Sequence, residues 1–351
     1  MRRSQAIVRP LPGAALFLVL TVRPGGEEAV RALLADLSAL RRSTGFRVPD
    51  DRLEVVAGIG SDAWGRLFSG LRPASLHPFV ALDGGRHAAP STPGDLLFHI
   101  RAATMGPCFE LGRLITGRLS GAADVVDETH GFRSFEQRDL LGFVDGTENP
   151  EGEDAVAAAL VGDEDPGFVG GSYVVVQKYL HDMATWDALS IAEQERIIGR
   201  TKLDDVELSE HELPADAHVA LNDLPDADDG RAREILRSNM PFGELGTGEF
   251  GTYFIGYAGH PEDIEMMLTN MFVGLPPGTH DRILDFSTAV TGTMFYCPTV
   301  DFLEAQPPLP QLGVEPAAPT PSAPATSPPA SSTPAAQDGS LGIGALGRKP
   351  S

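Results

Sequence analysis

The stretches "GDLLFHIRA" (residues 94–102) and "GTYFIGYAG" (residues 251–259) decide the fold of this chain. Each begins with glycine, continues as an apolar run of strand length, and precedes a helical pattern of apolar residues, at 108–115 and 261–272 respectively. A strand–helix unit that occurs twice predicts two copies of one α+β unit. We therefore expect an α+β fold in which antiparallel sheets are covered on one face by helices.

The first half of the chain contains further elements of the same kind. Apolar residues at helical spacing predict helices over 27–42 and 109–119. Strand-like runs lie at residues 53–57, 78–82 and 95–100. The apolar run at 13–22 follows paired arginines and could belong to an export signal, but it is short and no small-residue cleavage site follows it. We interpret this run as the first core strand.

The composition indicates a soluble globular protein. The 351 residues are 42% hydrophobic and carry a formal net charge of −22. Because this charge repels phosphate backbones and anionic lipids, we expect neither nucleic acid nor a membrane as a partner. With only two cysteines, Cys108 and Cys297, the chain can build neither a disulfide framework nor a cysteine zinc cluster. A reducing compartment is compatible with that count.

The composition changes sharply near the C-terminus. Residues 306–337 are almost wholly Pro, Ala, Ser and Thr, with ten prolines, so they cannot bury enough apolar surface to offset their ordering entropy. We predict a disordered tether. Residues 338–351, "DGSLGIGALGRKPS", place Leu341, Ile343 and Leu346 among glycines, which is as consistent with a docking peptide as with an inert terminus.

A carboxylate lies between two glycines in "LLGFVDGTENP" (residues 140–150). Gly142 and Gly146 permit backbone angles that other residues avoid, so the chain can turn tightly and bring Asp145 close to a bulky group. Taken alone, this motif more often marks a surface turn. A chemical role for Asp145 therefore depends on what the rest of the chain brings to it.

The nine histidines are scattered, and none forms a His-x-x-x-His or a 2-His-1-carboxylate pattern of usable spacing. We therefore expect no multidentate histidine metal site. His218, in "DAHVALND", lies among apolar residues as if carried into a core, and most histidines of this kind are structural. Further along, "ILRSNMPFG" supplies Arg237 and Asn239, two strong hydrogen-bond donors.

In combination, these segments resemble the dye-decolorising peroxidases. "GFVDGT" is similar to that family's Gly-x-x-Asp-Gly signature, "AHVALN" to its proximal histidine segment, and "ILRSNMPFG" to its distal arginine and asparagine. "IGRTKLDD", "GTYFIGYA" and "DRILDFSTAVTGTMFY" match as well, so the resemblance extends from the first strand to Leu303. It is strongest to the bacterial B-type branch.

The resemblance implies a haem peroxidase made of two ferredoxin-like halves, with the haem held mainly by the second. On this basis we predict four segments, which are an N-terminal half at 6–135, a C-terminal half at 136–305, the tether at 306–337 and the docking peptide at 338–351. The alternatives are a haem-handling protein without peroxidase turnover, which would need His218 alone, and a ferredoxin-like interaction module without haem.

The implied cofactor is one haem b per chain, with His218 as the single protein ligand to the iron. A carboxylate bonded to the other ring nitrogen would raise the basicity of this ligand. Asp281 and Asp285 are both candidates, and we prefer Asp281. On the open face, Asp145 would move the protons of hydrogen peroxide, while Arg237 would stabilise the negative charge that develops.

Other residues receive secondary roles from the resemblance. Asn239 would position a water molecule beside Asp145. Because an aspartate base has an intrinsic pKa near 3.9, we expect acidic working conditions. Glu148 could help to hold a reducing cation such as manganese, although a solvated turn glutamate is the more common case. Four aromatic residues are candidates for electron transfer to bulky reductants, or simply for the core: Trp64, Trp186, Tyr173 and Tyr257.

The C-terminal peptide resembles the cargo-loading peptides of some B-type dye-decolorising peroxidases, which are packed inside encapsulin shells. Leu341, Ile343 and Leu346 would then enter apolar pockets on the inner wall of the shell, and the tether would allow them to reach it. This implies a cytoplasmic protein inside an encapsulin nanocompartment. The resemblance also implies a homo-oligomer, with dyes, phenolic compounds or other one-electron donors as reductants.

Overall fold

The folded part of the chain consists of two successive α+β units whose strands join in one sheet. The computed structural model describes residues 2–310. The proposed docking residues Leu341, Ile343 and Leu346, and the tether beyond residue 310, lie outside the described residues.

The described residues contain the following elements. The strands are β1 (Ala14–Val22), β2 (Glu54–Gly60), β3 (Leu82–Asp83), β4 (Ala88–Ala89), β5 (Leu96–Ala102), β6 (Ala123–Phe132), β7 (Ser172–His181), β8 (Leu236–Arg237), β9 (Met240–Glu244), β10 (Glu249–Ala258), β11 (Ser287–Ala289) and β12 (Thr293–Cys297). The helices are α1 (Glu27–Gly45), α2 (Ser61–Leu67), α3 (Met105–Arg118), α4 (Gly152–Ala159), α5 (Met183–Asp187), α6 (Ile191–Ile198), α7 (His218–Asn222), α8 (Pro261–Phe272) and α9 (Val300–Glu304). Short 3₁₀ segments occur at Pro49–Asp51, Phe135–Gln137 and Arg282–Asp285.

The strand order repeats from one half to the other. The main sheet runs β6-β1-β5-β2-β12-β7-β10-β8, and every pairing in it is antiparallel. In the first half, β1 lies between β6 and β5, and β2 lies beyond β5. In the second half, β7 lies between β12 and β10, and β8 lies beyond β10. Strands β5 and β10 therefore occupy equivalent places, as their similar sequences predicted. The expected α+β class with antiparallel sheets and covering helices is confirmed.

Strand β1 separates two apolar cores. Leu16, Leu18 and Leu20 point to one face, where they pack with residues of α1 and α3. Phe17 and Val19 point to the opposite face and join a core shared with strands β7, β10 and β12 of the second half. Because successive side chains of a strand point to opposite faces, β1 contributes to both cores. The two halves are in contact through the second of these cores.

The shared core is dominated by aromatic rings. Phe17 is fully buried and stacks on Tyr253 of β10, with ring centroids 4.1 Å apart, and on His99 of β5 at 4.8 Å. The free cysteines Cys108 and Cys297 are also buried, one in each of the two cores.

Strand β10 has a different neighbour on each face. Tyr253, Ile255 and Tyr257 belong to the shared core, whereas Thr252 and Phe254 face a cleft on the outer side of the sheet. Helix α8 covers this outer side, and it spans residues 261–272 as the apolar pattern predicted. The cleft of the second half therefore lies between β10 and α8.

Most of the sequence-based elements are present, and one is wrong. The apolar run at 13–22 forms β1, a buried strand, in agreement with its interpretation as core. The run at 78–82 is not a strand, because only Phe79 is buried there and just Leu82 enters the short β3.

Residues 306–310 contact the folded domain, since Gln306 donates a hydrogen bond to the carbonyl of Arg31 at 2.9 Å. Across residues 2–310, no helix is both long enough and apolar enough to cross a membrane.

We expect Phe17→Ala to destabilise both halves together by about 3–5 kcal/mol, the usual cost of removing a fully buried phenylalanine. The chain has two tryptophans, Trp64 in the first half and Trp186 in the second, so urea unfolding of single-tryptophan versions reports each half separately. Phe46→Ala is the control, because Phe46 is 86% exposed. Loss of signal from Trp64 at lower urea with Trp186 unchanged would show that the halves unfold independently.

Candidate active site

A cleft opens between the outer face of the second half's sheet and the helices that cover it. Its empty volume is about 1140 Å³, including the open mouth, which is large enough for a bulky organic cofactor. Strands β7 and β10, helices α7 and α8, and the loop at residues 139–148 form its walls. Much of the lining is apolar and includes Ile235, Phe254, Ile264, Met267, Leu268 and Met271.

His218 is the first residue of α7 and lines this cleft. Its Nδ1 donates a hydrogen bond to Oδ2 of Asp281 at 2.7 Å. Asp281 is fully buried, and its Oδ1 accepts a hydrogen bond from the backbone of Ile283 at 3.0 Å. Asn222 donates to the carbonyl of His218 at 2.7 Å. The bond to Asp281 orients the ring and leaves Nε2 as the nitrogen that can bind a ligand.

Asp285, the other carboxylate considered as a partner of His218, is bonded elsewhere. Its Oδ1 lies 3.0 Å from Nε2 of His87 and 3.2 Å from Nε2 of His280. In this structure Asp281 is therefore the carboxylate partner of His218. His87, His280 and Asp285 form a cluster that the sequence pattern did not indicate. Spacing could not reveal it, because His87 and Asp285 are 198 residues apart in the chain.

The loop that carries Asp145 depends on its two glycines. Gly142 and Gly146 have φ angles of +94° and +88°, a region that side chains disfavour. The backbone N–H of Asp145 donates to the carbonyl of Gln137 at 2.9 Å, which closes the loop. As a result Asp145 lies on the wall of the same cleft as His218.

Arg237 and Asn239 enter the cleft from β8 and the residues after it. Asn239 donates from Nδ2 to Oδ1 of Asp145 at 3.2 Å, and its Oδ1 accepts from the backbone of Ile255 at 3.1 Å. Asn149 holds the backbone of Arg237 from both sides, because its Oδ1 accepts from the N–H at 2.9 Å and its Nδ2 donates to the carbonyl at 2.8 Å. Asn149 is part of the sequence quoted at residues 140–150, but the backbone groups that its side chain binds belong to Arg237, 88 residues away.

The cleft perturbs two carboxylates. Burial raises the pKa of Asp145, while Arg237 and the hydrogen bond from Asn239 oppose this rise. Burial, together with the nearby charge of Asp145, raises the pKa of Asp139 to about 7. Asp139 lines the cleft and accepts a hydrogen bond from the backbone of Phe143 at 2.9 Å. Asp139 could not be identified from the sequence, since nothing in its local pattern indicates burial.

The residues with secondary roles are placed as follows. Glu148 lies at the cleft, where it accepts a hydrogen bond from Nη1 of Arg200 at 2.6 Å, so manganese would have to compete with this ion pair. The four aromatic candidates are all buried core residues: Trp64, Trp186, Tyr173 and Tyr257. Among them, Trp186 contacts the loop of the cleft, because its Nε1 donates to the carbonyl of Leu141 at 3.0 Å.

The residues of the cleft fit the expected haem. Apolar side chains from β10 and α8 suit the faces of a large planar ring, and His218 presents Nε2 as a ligand for its iron. The Nε atom of Arg237 is buried and has no hydrogen-bond partner among residues 2–310. A buried polar atom without a partner at a cleft wall is expected where a bound group completes the site.

Two family models cover almost all of the described chain. The model of the N-terminal domain of Dyp-type peroxidases matches residues 4–133, and the model of the C-terminal domain matches residues 136–302. His218, Asp145, Arg237 and Asn239 all lie within the second match.

Curated and solved relatives agree with these matches. A dye-decolorizing peroxidase of Mycolicibacterium paratuberculosis is 62% identical over 317 residues, which cover 90% of this chain and 89% of that protein. The cryo-EM structure of the encapsulated DyP-type peroxidase from Mycobacterium smegmatis is 60% identical, with a TM-score of 0.86, and the match covers 88% of this chain and 100% of that one. A Rhodococcus jostii variant in complex with heme is 54% identical, with a TM-score of 0.84 and coverage of 87% and 99%. Sequence, strand order and cleft thus agree that the chain belongs to the dye-decolorising peroxidases, a family of haem enzymes.

Proposed function

We propose that this peroxidase reduces hydrogen peroxide, and oxidises dyes, phenolic compounds or other one-electron donors, at the cleft that contains His218, Asp145 and Arg237. The observation that carries the proposal is that one cleft combines a histidine held for ligation with an aspartate and an arginine. A protein that only handled haem would need His218 alone. Relatives of the present chain at about 60% identity are peroxidases, which also favours peroxidase function over haem handling.

On the proximal side, the chain holds its cofactor through His218. The bond from Nδ1 to the buried Asp281 fixes the tautomer, so the lone pair of Nε2 is available to the iron. The anionic partner also increases the basicity of that lone pair. When it is bound, haem supplies the iron at which peroxide is reduced. Because Asp281 is itself bonded to the backbone N–H of Ile283, it holds the imidazole ring of His218 in this orientation.

On the distal side, Asp145 transfers protons and Arg237 stabilises negative charge. Asp145 in its ionised form accepts a proton from hydrogen peroxide and returns a proton to the oxygen that departs as water. Arg237 donates hydrogen bonds to that departing oxygen, where negative charge develops. Asn239 holds Asp145 in place through the 3.2 Å bond. Asp139, with a pKa of about 7, is a second nearby proton store.

The pKa of Asp145 determines the lower limit of the working pH. Since burial raises this pKa, the ionised base is lost at a higher pH than for an ordinary aspartate, near 3.9. The rate of reaction with peroxide should therefore fall as the pH decreases through that raised pKa. Arg237 lowers the pKa and so extends the active range toward acid.

The C-terminal residues give the protein a second task, which is entry into an encapsulin shell. The Mycobacterium smegmatis relative is an encapsulated peroxidase, and this chain carries Leu341, Ile343 and Leu346 beyond a Pro/Ala-rich segment. Apolar anchors on a long tether can reach pockets on a shell wall without disturbing the enzyme. We place the protein in the cytoplasm, as a homo-oligomer inside such a compartment.

His218→Ala should lose most of its haem, because one side chain carries the protein bond to the iron. The measurement is the ratio of Soret to protein absorbance after purification with haem supplied. His211→Ala serves as the control, since His211 is exposed and outside the cleft. Full haem occupancy with an unchanged spectrum in His218→Ala would contradict the assignment.

Arg237→Leu should retain haem but slow the reaction with peroxide by about 10² to 10³, the usual loss when one charge-stabilising donor is removed. Its acid limb should also move to higher pH, because the contribution that lowers the pKa of Asp145 is gone. Asp145→Ala should slow the reaction and lose that limb. Stopped-flow absorbance across pH measures both effects, with Arg113→Leu, a 59% exposed arginine side chain, as control. Wild-type rates in both cleft variants would place proton transfer elsewhere.

Deletion of residues 338–351 should leave peroxidase activity intact and abolish loading into a shell. Each lost apolar anchor forfeits roughly 1.5 to 3 kcal/mol of burial. Replacing Leu341, Ile343 and Leu346 by Asp should act alike, whereas Asp at Thr320, Ser322 and Thr326 adds the same charge to the tether and should not. The assay is co-expression with an encapsulin shell protein, such as that of the Mycobacterium smegmatis relative, and size-exclusion chromatography read by haem absorbance. Truncated enzyme that still elutes with assembled shells would assign loading to the folded domain.

A further inference from the structure

A second group of ligating side chains lies outside the cleft. His87 belongs to the turn between β3 and β4 in the first half. In the second half, His280 precedes the 3₁₀ segment Arg282–Asp285 and Asp285 is its last residue. One ligand atom from each of the three residues lies within 4.8 Å of the other two. Their side chains are 18%, 18% and 20% exposed, and none of them lines the cleft.

We propose that His87, His280 and Asp285, here called the interhalf triad, form a binding site for a divalent transition-metal ion of the zinc type. The site joins the two halves of the protein. It is separate from the haem site and has no part in the peroxidase function proposed above.

The distances within the triad suit a shared cation. Oδ1 of Asp285 lies 3.0 Å from Nε2 of His87 and 3.2 Å from Nε2 of His280. Ligand atoms at about 2.0–2.1 Å from a tetrahedral zinc ion are about 3.3 Å from one another. Two of the three separations are thus already close to this value, and the third, between the two imidazole nitrogens, is no more than 4.8 Å. Three protein ligands also leave one position open for water.

A simple hydrogen-bond network accounts less well for the same atoms. Oδ1 of Asp285 is approached by both imidazoles and also by Nη2 of Arg86 at 2.9 Å. A carboxylate oxygen offers about two lone-pair directions, so three N–H donors exceed its capacity. At least one imidazole is then better placed to present a lone pair than an N–H, and a lone pair is what a metal ion requires.

The ligand set indicates which metal ions would bind. Two imidazoles and one carboxylate suit zinc, copper, nickel or iron, whereas manganese, magnesium and calcium prefer sites made of oxygen. Arg86 would compete with a metal ion, because its guanidinium is bonded to Oδ1 of Asp285, the oxygen that the ion would bind. Its side chain is 65% exposed and can move into solvent.

Metal binding would connect the β3–β4 turn of the first half to the segment that holds Asp281. Asp281 is the N-cap of the 3₁₀ segment Arg282–Asp285, which ends at a triad residue. A cation that binds only the folded state stabilises it by mass action. Zinc should therefore raise the unfolding temperature of the enzyme.

The test is zinc titration of the chelator-treated holoenzyme, in which haem already occupies His218, by isothermal calorimetry and by metal analysis after dialysis. We expect one zinc ion per chain and a rise of a few degrees in the unfolding temperature. His87→Ala and His280→Ala should weaken binding by at least about 100-fold. Arg86→Gln should tighten it, because a competing charge is removed. Manganese should bind far more weakly than zinc.

His130→Ala is the matched control, since His130 pairs with Glu128 at 2.7 Å as an isolated histidine–carboxylate pair. It should bind zinc as the wild type does. Equal zinc affinity in the wild type and His87→Ala would overturn the proposal. If His87→Ala fails to fold, Arg86→Gln decides the matter, because Arg86 is largely exposed. Unchanged or weaker zinc binding by that variant would then overturn it.

Discussion

The alternation of side chains along β10 is the constraint on which the rest of the structure depends. Odd-numbered residues such as Tyr253 and Tyr257 fill the core between the two halves, while Phe254 forms part of the cleft wall. A shift of one residue in the register of this strand would exchange the two sets. The pairing of β10 with β7 over eight residues prevents such a shift. The core that joins the halves therefore also determines where the cleft lies.

The cleft uses carboxylates in two different ways. Asp281 is fully buried and bonded to both His218 and a backbone N–H, so its carboxyl group is fixed in place and serves to orient a ring. Asp145 is only partly buried, and its pKa is balanced between burial and the charge of Arg237. The first environment suits a carboxylate that orients a neighbouring ring, and the raised pKa of the second suits a carboxylate that exchanges protons. The same side chain thus acquires two functions from its surroundings.

Much of the fold could be predicted from the sequence, because repeated apolar patterns are local. Helix α8 and strand β1 are present where those patterns placed them, and the resemblance supplied residues that the structure brings into one cleft. What could not be predicted depends on long-range contacts. Asn149 is defined by its bond to a residue 88 positions away. The raised pKa of Asp139 depends on burial, and the cluster of His87 with Asp285 depends on the packing of one half against the other.

The two free cysteines have a consequence for an enzyme that encounters peroxide. Thiols are oxidised through their thiolate form. Burial raises the pKa of Cys108 to about 12, so only about one thiol in 10⁵ would be ionised at pH 7. Burial raises the pKa of Cys297 as well. Both cysteines are enclosed within apolar cores, and the protein therefore presents its own oxidant with almost no cysteine thiolate to attack. The resistance of these two thiols to oxidation is in this way a property of the core packing rather than of the active site.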